Sequence, residues 1–216
     1  MVYTDKGVKG RVILPDSSVV WLNSDSKLFY PETFDGRNRD VALSGEGFFE
    51  VRRDSLRPMI VSTTRGFKLE VLGTTFNLKS YDNDDIAEAT LYSGNVNLIM
   101  MDGNGDVKMR QILSPNQTVT IDRNMNSSLV KHGDQSILSA WKEGRIIFDN
   151  TPMSEVVKIL NRWHGVEFEI RDPEILDYKM TARFNSESVV QIMDLFKLTS
   201  YIDYEIKDKT VIVKKR

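Results

Sequence analysis

The sequence predicts a mainly β protein. An all-β, sandwich- or solenoid-like domain over residues 1–135 precedes a small α+β domain over 140–216 with the order βαββαββ. Three observations carry this reading. From Arg11 to about Leu129 apolar residues alternate with period two. Turn residues recur roughly every 8 to 12 positions across that stretch, which is the sandwich or barrel signal. Near Thr151 the spacing changes to that of helices.

The strands follow in order. Arg11–Leu14 leads into the turn cluster Pro15-Asp16-Ser17-Ser18, and Val19–Leu22 into Asn23-Ser24-Asp25-Ser26. Later runs are Val41–Leu43, Phe48–Val51, Met59–Val61, Phe67–Val71, Phe76–Leu78, Ala89–Tyr92 and Val96–Ile99. Glycines at 36, 45, 66, 73, 94 and 103 break them. No helix is expected here. Asn124–Ser139, rich in Asn, Ser and Gly, reads as a linker.

Beyond it, Arg145–Phe148 reads as a strand. Thr151-Pro152 opens a helix, with Thr151 as N-cap and Pro152 in the first helical position. Met153, Val156, Val157, Leu160 and Trp163 share one helix face, and Gly165 is placed for a left-handed stop. Val166–Ile170 and Lys179–Phe184 are strands. Ser186 caps a second helix that turns Val189, Ile192, Met193 and Phe196 inward. Ile202–Ile206 and Thr210–Val213 form a hairpin across Asp208-Lys209.

Composition narrows the function classes. The net charge is -2, and from Trp141 onward basic and acidic residues balance. Neither part is a basic body built to neutralise phosphates, so no nucleic acid is expected. The absence of cysteine excludes disulfides, thiol catalysis and Cys-ligated zinc. No apolar run approaches the roughly 18 residues of a membrane span. Met1–Gly10 does not read as a signal peptide, and the early first strand suggests a region cut from a longer protein.

Several motifs have plain readings. Asp102-Gly103-Asn104-Gly105-Asp106 opens like a calcium loop, but Val107 replaces the required glycine and Leu113 the required glutamate, so a hairpin tip is expected. Gly45-Glu46-Gly47 lacks the third glycine of a nucleotide loop and sits between strands. Ser44 lacks the flanking glycines of a nucleophile elbow. Glu46 and Glu50 read as turn and strand-surface charges. His132 falls in the linker and His164 at a helix end, too few imidazoles for a zinc site. No metal or cofactor is expected. Trp21 and Trp163 lie in apolar patterns and read as core, while Trp141 stands at the junction.

A long ordered series of words is similar to the FecR family. It comprises Leu14-Pro15-Asp16, Val20-Trp21-Leu22-Asn23, Leu28–Tyr30 with Pro31, Phe34, Arg39, Leu43–Glu46, Phe49-Glu50-Val51, Pro58, Val71–Thr74 with Phe76-Asn77, and Leu91 with Gly94-Asn95-Val96. The second part resembles the small C-terminal domain of Bacteroidetes FecR regulators, through Trp141, Gly144, Phe148-Asp149-Asn150, the helix to Trp163, and Phe184. Its layout is similar to the short secretin/TonB N-terminal domain. The family often has Asp-Gly after Leu-Pro, where this chain has Asp16-Ser17. The resemblance implies a non-enzymatic anti-sigma factor or sigma regulator. Its region here would be the periplasmic domain of a single-pass inner-membrane protein. The implied partner is the periplasmic signalling domain of a TonB-dependent outer-membrane transporter. A cytoplasmic segment absent from this chain would contact the extracytoplasmic-function sigma factor.

The expected partner-binding residues are Thr210, Val211, Ile212 and Val213. If this β-branched strand lies at a sheet edge, its free backbone can accept a partner strand, with Lys214-Lys215-Arg216 as gatekeepers. As an interior strand it would be paired on both sides. The alternative function is a carbohydrate-binding module, which requires exposed, coplanar aromatics on one sheet face.

Overall fold

The computed structural model describes residues 1–102, 104–131 and 139–216. Gly103 and residues 132–138, which include His132 and half of the expected linker, lie outside the described residues. The chain divides into two compact units: Met1–Asp5 with Lys9–Ser139, and Lys6–Val8 with Ala140–Arg216.

In the first unit thirteen strands are described: β1 (Val2–Thr4), β2 (Gly10–Ile13), β3 (Val19–Leu22), β4 (Ser26–Phe29), β5 (Arg39–Glu50), β6 (Met59–Thr63), β7 (Phe67–Val71), β8 (Thr75–Ser80), β9 (Ala87–Ser93), β10 (Val96–Met101), β11 (Val107–Leu113), β12 (Gln117–Ile121) and β13 (Ser127–Lys131). The long β5 organises them. Its first half pairs with β4 and, in parallel, with β6. Its second half pairs antiparallel with β3 and β8. Two runs of strands diverge from it, β1-β4-β5-β6-β7-β10-β11 and β2-β3-β5-β8-β9-β12-β13. They enclose one core that holds Leu28, Leu43, Val61 and Leu98 from the first run and Val20, Phe49, Phe76 and Val119 from the second. Phe49 and Phe76 stack 4.8 Å apart and are fully buried. The curled sheet matches the expected mainly β class, and no described residue of this unit is helical.

The change of partners in β5 happens at Gly45, whose φ is 110°. A Cβ there would stand 2.4 Å from Ser26 Oγ, so only glycine lets β4 approach. Gly45-Glu46-Gly47 therefore lies inside a strand, which corrects the expected position between strands. The strand β13 corrects the reading of 124–139 as linker. Ser127-Ser128 masks the pattern, and β12 supplies its pairing.

In the second unit β14 (Ile146–Pro152) pairs antiparallel with β16 (Lys179–Phe184). The helix α1 (Met153–His164) follows β14, and α2 (Val189–Thr199) follows β16. The strand β18 (Thr210–Lys215) lies between β15 (Glu167–Ile170), parallel to it, and β17 (Ile202–Lys207), antiparallel. The order βαββαββ is as expected. Phe148, Phe184 and Phe196 form the heart of its core, with ring centroids 6.1 to 6.4 Å apart. Each buried phenylalanine is worth roughly 1.5–3 kcal/mol.

Both helix starts differ from expectation. Pro152 is itself the N-cap of α1, because Thr151 is still in the strand and its hydroxyl accepts the Asp149 N–H. Ser188, not Ser186, caps α2. It forms a capping box with Gln191, whose side chain reaches back to the Ser188 N–H. Gly165 ends α1 at φ 66°, as the sequence suggests.

Candidate protein-interaction site

The expected site strand is central. Thr210, Val211, Ile212 and Val213 face Glu167, Phe168, Glu169 and Ile170 of β15 on one side. On the other side they face Lys207, Ile206, Glu205 and Tyr204 of β17. Both edges of the β18 backbone are thus engaged, and strand addition there has no open donors or acceptors. Val211, Ile212 and Val213 are all buried. Of the two arrangements open to this strand, the structure has the interior one; a β-branched run suits a central strand as well as an edge, and the parallel partner comes from some forty residues upstream.

The outer strands of that sheet are β15 and β17, and among the described residues each pairs only with β18; β17 is the one beside α2. Charges blunt it: Asp203 binds Lys197 at 2.6 Å, and Lys207 lies 3.3 Å from Glu205. Tyr204 ties the strand to α2 by donating to Asp194 Oδ1 at 2.7 Å. Burial, and then the Asp194 contact, push its phenol up to about 12, so it stays a donor at neutral pH.

The outer side of α2 beside this strand carries exposed apolar residues among the polar Gln191 and Asp194. Leu198 is 79% exposed and Tyr201, just past the helix, 69%. Val190, Leu195 and Ile206 of β17 are exposed as well. Val190 and Leu198 are eight residues apart, so they share a side of the helix opposite to the buried Ile192, Met193 and Phe196. An open strand edge and an uncovered apolar helix face together offer what a protein partner uses: main-chain pairing for affinity and apolar anchors for specificity. These residues were not singled out in the sequence. The available signal was a helix apolar nearly all round (VVQIMDLFKL), more than one core face needs.

The first unit holds several polar groups inside. Glu46, expected at the surface, is 8% exposed. Its carboxylate accepts Asn23 Nδ2 at 2.8 Å and Asn77 Nδ2 at 2.9 Å, and its own N–H donates to Ser26 Oγ. Three of the words that carry the family resemblance therefore converge on one carboxylate, in a structural role. Arg39 is 1% exposed, bonds Asp16 at 2.6 Å, and donates to the Arg52 and Arg57 carbonyls. Burial raises the Asp16 pKa, but hydrogen bonds from Ser18 and then Arg39 outweigh it and hold the carboxyl below its ordinary value. Ser17 keeps the positive φ of the expected glycine turn, at 69°.

The remaining motifs fall as follows. Asp102 Oδ1 accepts the N–H groups of Asn104 and Asp106, which makes this segment a hairpin tip. Among the described residues no three His, Cys, Asp or Glu side chains group as metal ligands would. Trp21 is half-buried, with Arg11 over its ring at 5.4 Å. It meets Phe48 at 74°, and Phe48 meets Tyr92 at 62°. These edge-to-face rings, with Phe48 buried, lack the flat open row a carbohydrate platform needs. Trp163 is half-buried against the second core, and Trp141 is buried. Among the described residues no helix is long and apolar enough to cross a membrane.

Comparison with known proteins agrees with this layout. Residues 1–97 match the family model described as FecR protein, and residues 145–213 match the one described as FecR, C-terminal. No curated protein matches the sequence. Two crystal structures of a candidate anti-sigma factor from Parabacteroides distasonis, at 1.65 and 2.50 Å, are similar to the whole chain. Each is 27% identical, with a TM-score of 0.89 over 100% of this chain and 98% of that one. With both regions matched in order, and with a fold shared from end to end, the chain belongs to the FecR family.

Proposed function

We propose that this chain is the periplasmic part of a FecR-like anti-sigma factor anchored by a single span in the inner membrane. It binds the periplasmic signalling domain of a TonB-dependent outer-membrane transporter and thereby controls an extracytoplasmic-function sigma factor. Contact with the sigma factor falls to a cytoplasmic segment of the full-length protein. The relay makes and breaks no covalent bond. The two units act as separate domains, 1–135 and 140–216.

The observation that supports this reading best is the full-length likeness to a candidate anti-sigma factor, together with the two FecR regions in order. The second unit, with its open β17 edge and apolar α2 face, is the side that meets the transporter. The experiment is calorimetric titration of the chain, and of residues 140–216 alone, with each purified signalling domain of the same organism's TonB-dependent transporters. One domain should give a saturable one-to-one complex with both. If none binds at concentrations up to about 100 μM, weaker than most specific recognition, the reading fails.

A further inference from the structure

Lys6, Gly7 and Val8 are held by the second unit, although the residues on either side, Met1–Asp5 and Lys9 onward, are built into the first. Their holding points lie at the end of α1. The last carbonyls of a helix have no intrahelical donor. Gly165 N–H takes the Asn161 carbonyl at 2.9 Å, and Gly7 N–H takes the Arg162 carbonyl at 2.7 Å. The Gly7 backbone reaches it with φ 78°, a conformation that glycine adopts freely. Lys6 Nζ binds Glu167 Oε1 at 2.8 Å, and Glu167 Oε2 accepts Asn161 Nδ2 at 2.9 Å. The Glu167 carboxyl is held below its ordinary value first by Lys6 and then by Asn161.

These bonds are few and wet. The Lys6 and Glu167 side chains are 36% and 66% exposed, and Val8 is half exposed. Such pairs are worth little in water. Among the described residues the segment has one backbone bond and one solvated ion pair, and such a segment opens far more easily than a packed core.

We propose that Lys6–Val8 is a latch, a helix-capping strap that leaves and returns to the end of α1 while both units stay folded. As a regulatory element it rests on the proposed relay. The opening itself does not depend on that reading.

Amide hydrogen exchange on the intact chain tests the latch without any partner. Gly7 N–H should exchange on the order of 100-fold faster than the amide of Leu160, which lies in the core of α1. Glu167→Ala should speed Gly7 by about twofold to fivefold and leave Leu160 unchanged. A lock is available. A Cβ on Gly165 would stand 3.8 Å from the Lys6 Cβ, a separation suited to a disulfide, in a chain with no cysteine of its own; the strain of a side chain at φ 66° is common to the oxidised and reduced forms, so their difference reads the lock. In Lys6→Cys/Gly165→Cys, oxidation should slow Gly7 exchange to the rate class of Leu160, and reduction should restore it. Gly7 and Leu160 exchanging at one common rate in the unmodified chain, with Glu167→Ala moving both equally, would overturn the proposal. That outcome would leave partner binding untouched, just as a failed titration would leave the latch standing.

Discussion

The two units differ in the polar groups they bury, while both expose apolar residues, among them Leu56 and Ile112 in the first and Leu198 and Tyr201 in the second. The first buries a carboxylate between two amides and an arginine against an aspartate. The second buries an aromatic trio and leaves leucine, valine and tyrosine on the outside of α2. Buried polar groups that find partners help hold one arrangement of a sheet in register, although Arg39 Nη2 has no hydrogen-bond partner among the described residues. Apolar groups left in water favour association. On the proposed relay, recognition falls to the second unit, where exposed apolar residues lie beside the β17 edge.

The largest way to break this contrast is Arg39→Ala. It takes the cation from Asp16, whose side chain is only 10% exposed and is left with its Ser18 hydrogen bonds alone. Loss of one partner from a buried pair costs about 3–5 kcal/mol. The first unit's urea midpoint should fall sharply. Phe196→Ala should cost a similar amount, about 3–5 kcal/mol, but in the second unit. With tryptophan fluorescence and circular dichroism followed together, each substitution should move one transition and leave the other in place. A single transition moved by both would merge the two units into one cooperative body.

Much of this was legible in the sequence. Period-two alternation placed most strands of the first unit, and helical spacing plus Gly165 placed α1. What escaped was non-local. Whether Thr210–Val213 is an edge or a centre depends on a parallel partner some forty residues upstream. Whether Glu46 is a surface charge or a buried pin depends on Asn23 and Asn77, brought in by β-pairing. Helix starts slipped for a local reason. Thr151 and Ser186 are good caps by type, but β14 runs on through Pro152, and Gln191 completes a capping box only with Ser188. Leu195 and Leu198 fell outside the expected inward face of Val189, Ile192, Met193 and Phe196, and nothing local marks an exposed leucine as a contact.

Smaller effects sharpen the framework side. Ser17→Gly should stabilise the first unit by about 0.5–1 kcal/mol, because serine is held at φ 69°. A lower melting temperature for this variant would mean that the serine hydroxyl matters more than the backbone. Lys9 gives the weakest signal. Burial lowers its pKa to about 8, against the opposing pull of Glu46. The folded state therefore binds its proton less tightly than the unfolded chain does. Stability should rise as pH climbs from about 8 toward 10.5. Lys9→Met should flatten that rise in a melting series; an unchanged slope would assign it to another group.

The central claim, that the second unit's exposed apolar face is where a protein partner is recognised, is tested most directly by Leu198→Asp. Leu198 is 79% exposed, so its replacement should leave the melting temperature within the range of ordinary surface substitutions. In calorimetric titration against the signalling domain that binds the unmodified chain, the folded variant should lose at least tenfold in affinity, about 1.4 kcal/mol. Unchanged affinity in a folded Leu198→Asp/Tyr201→Asp double variant would contradict the account.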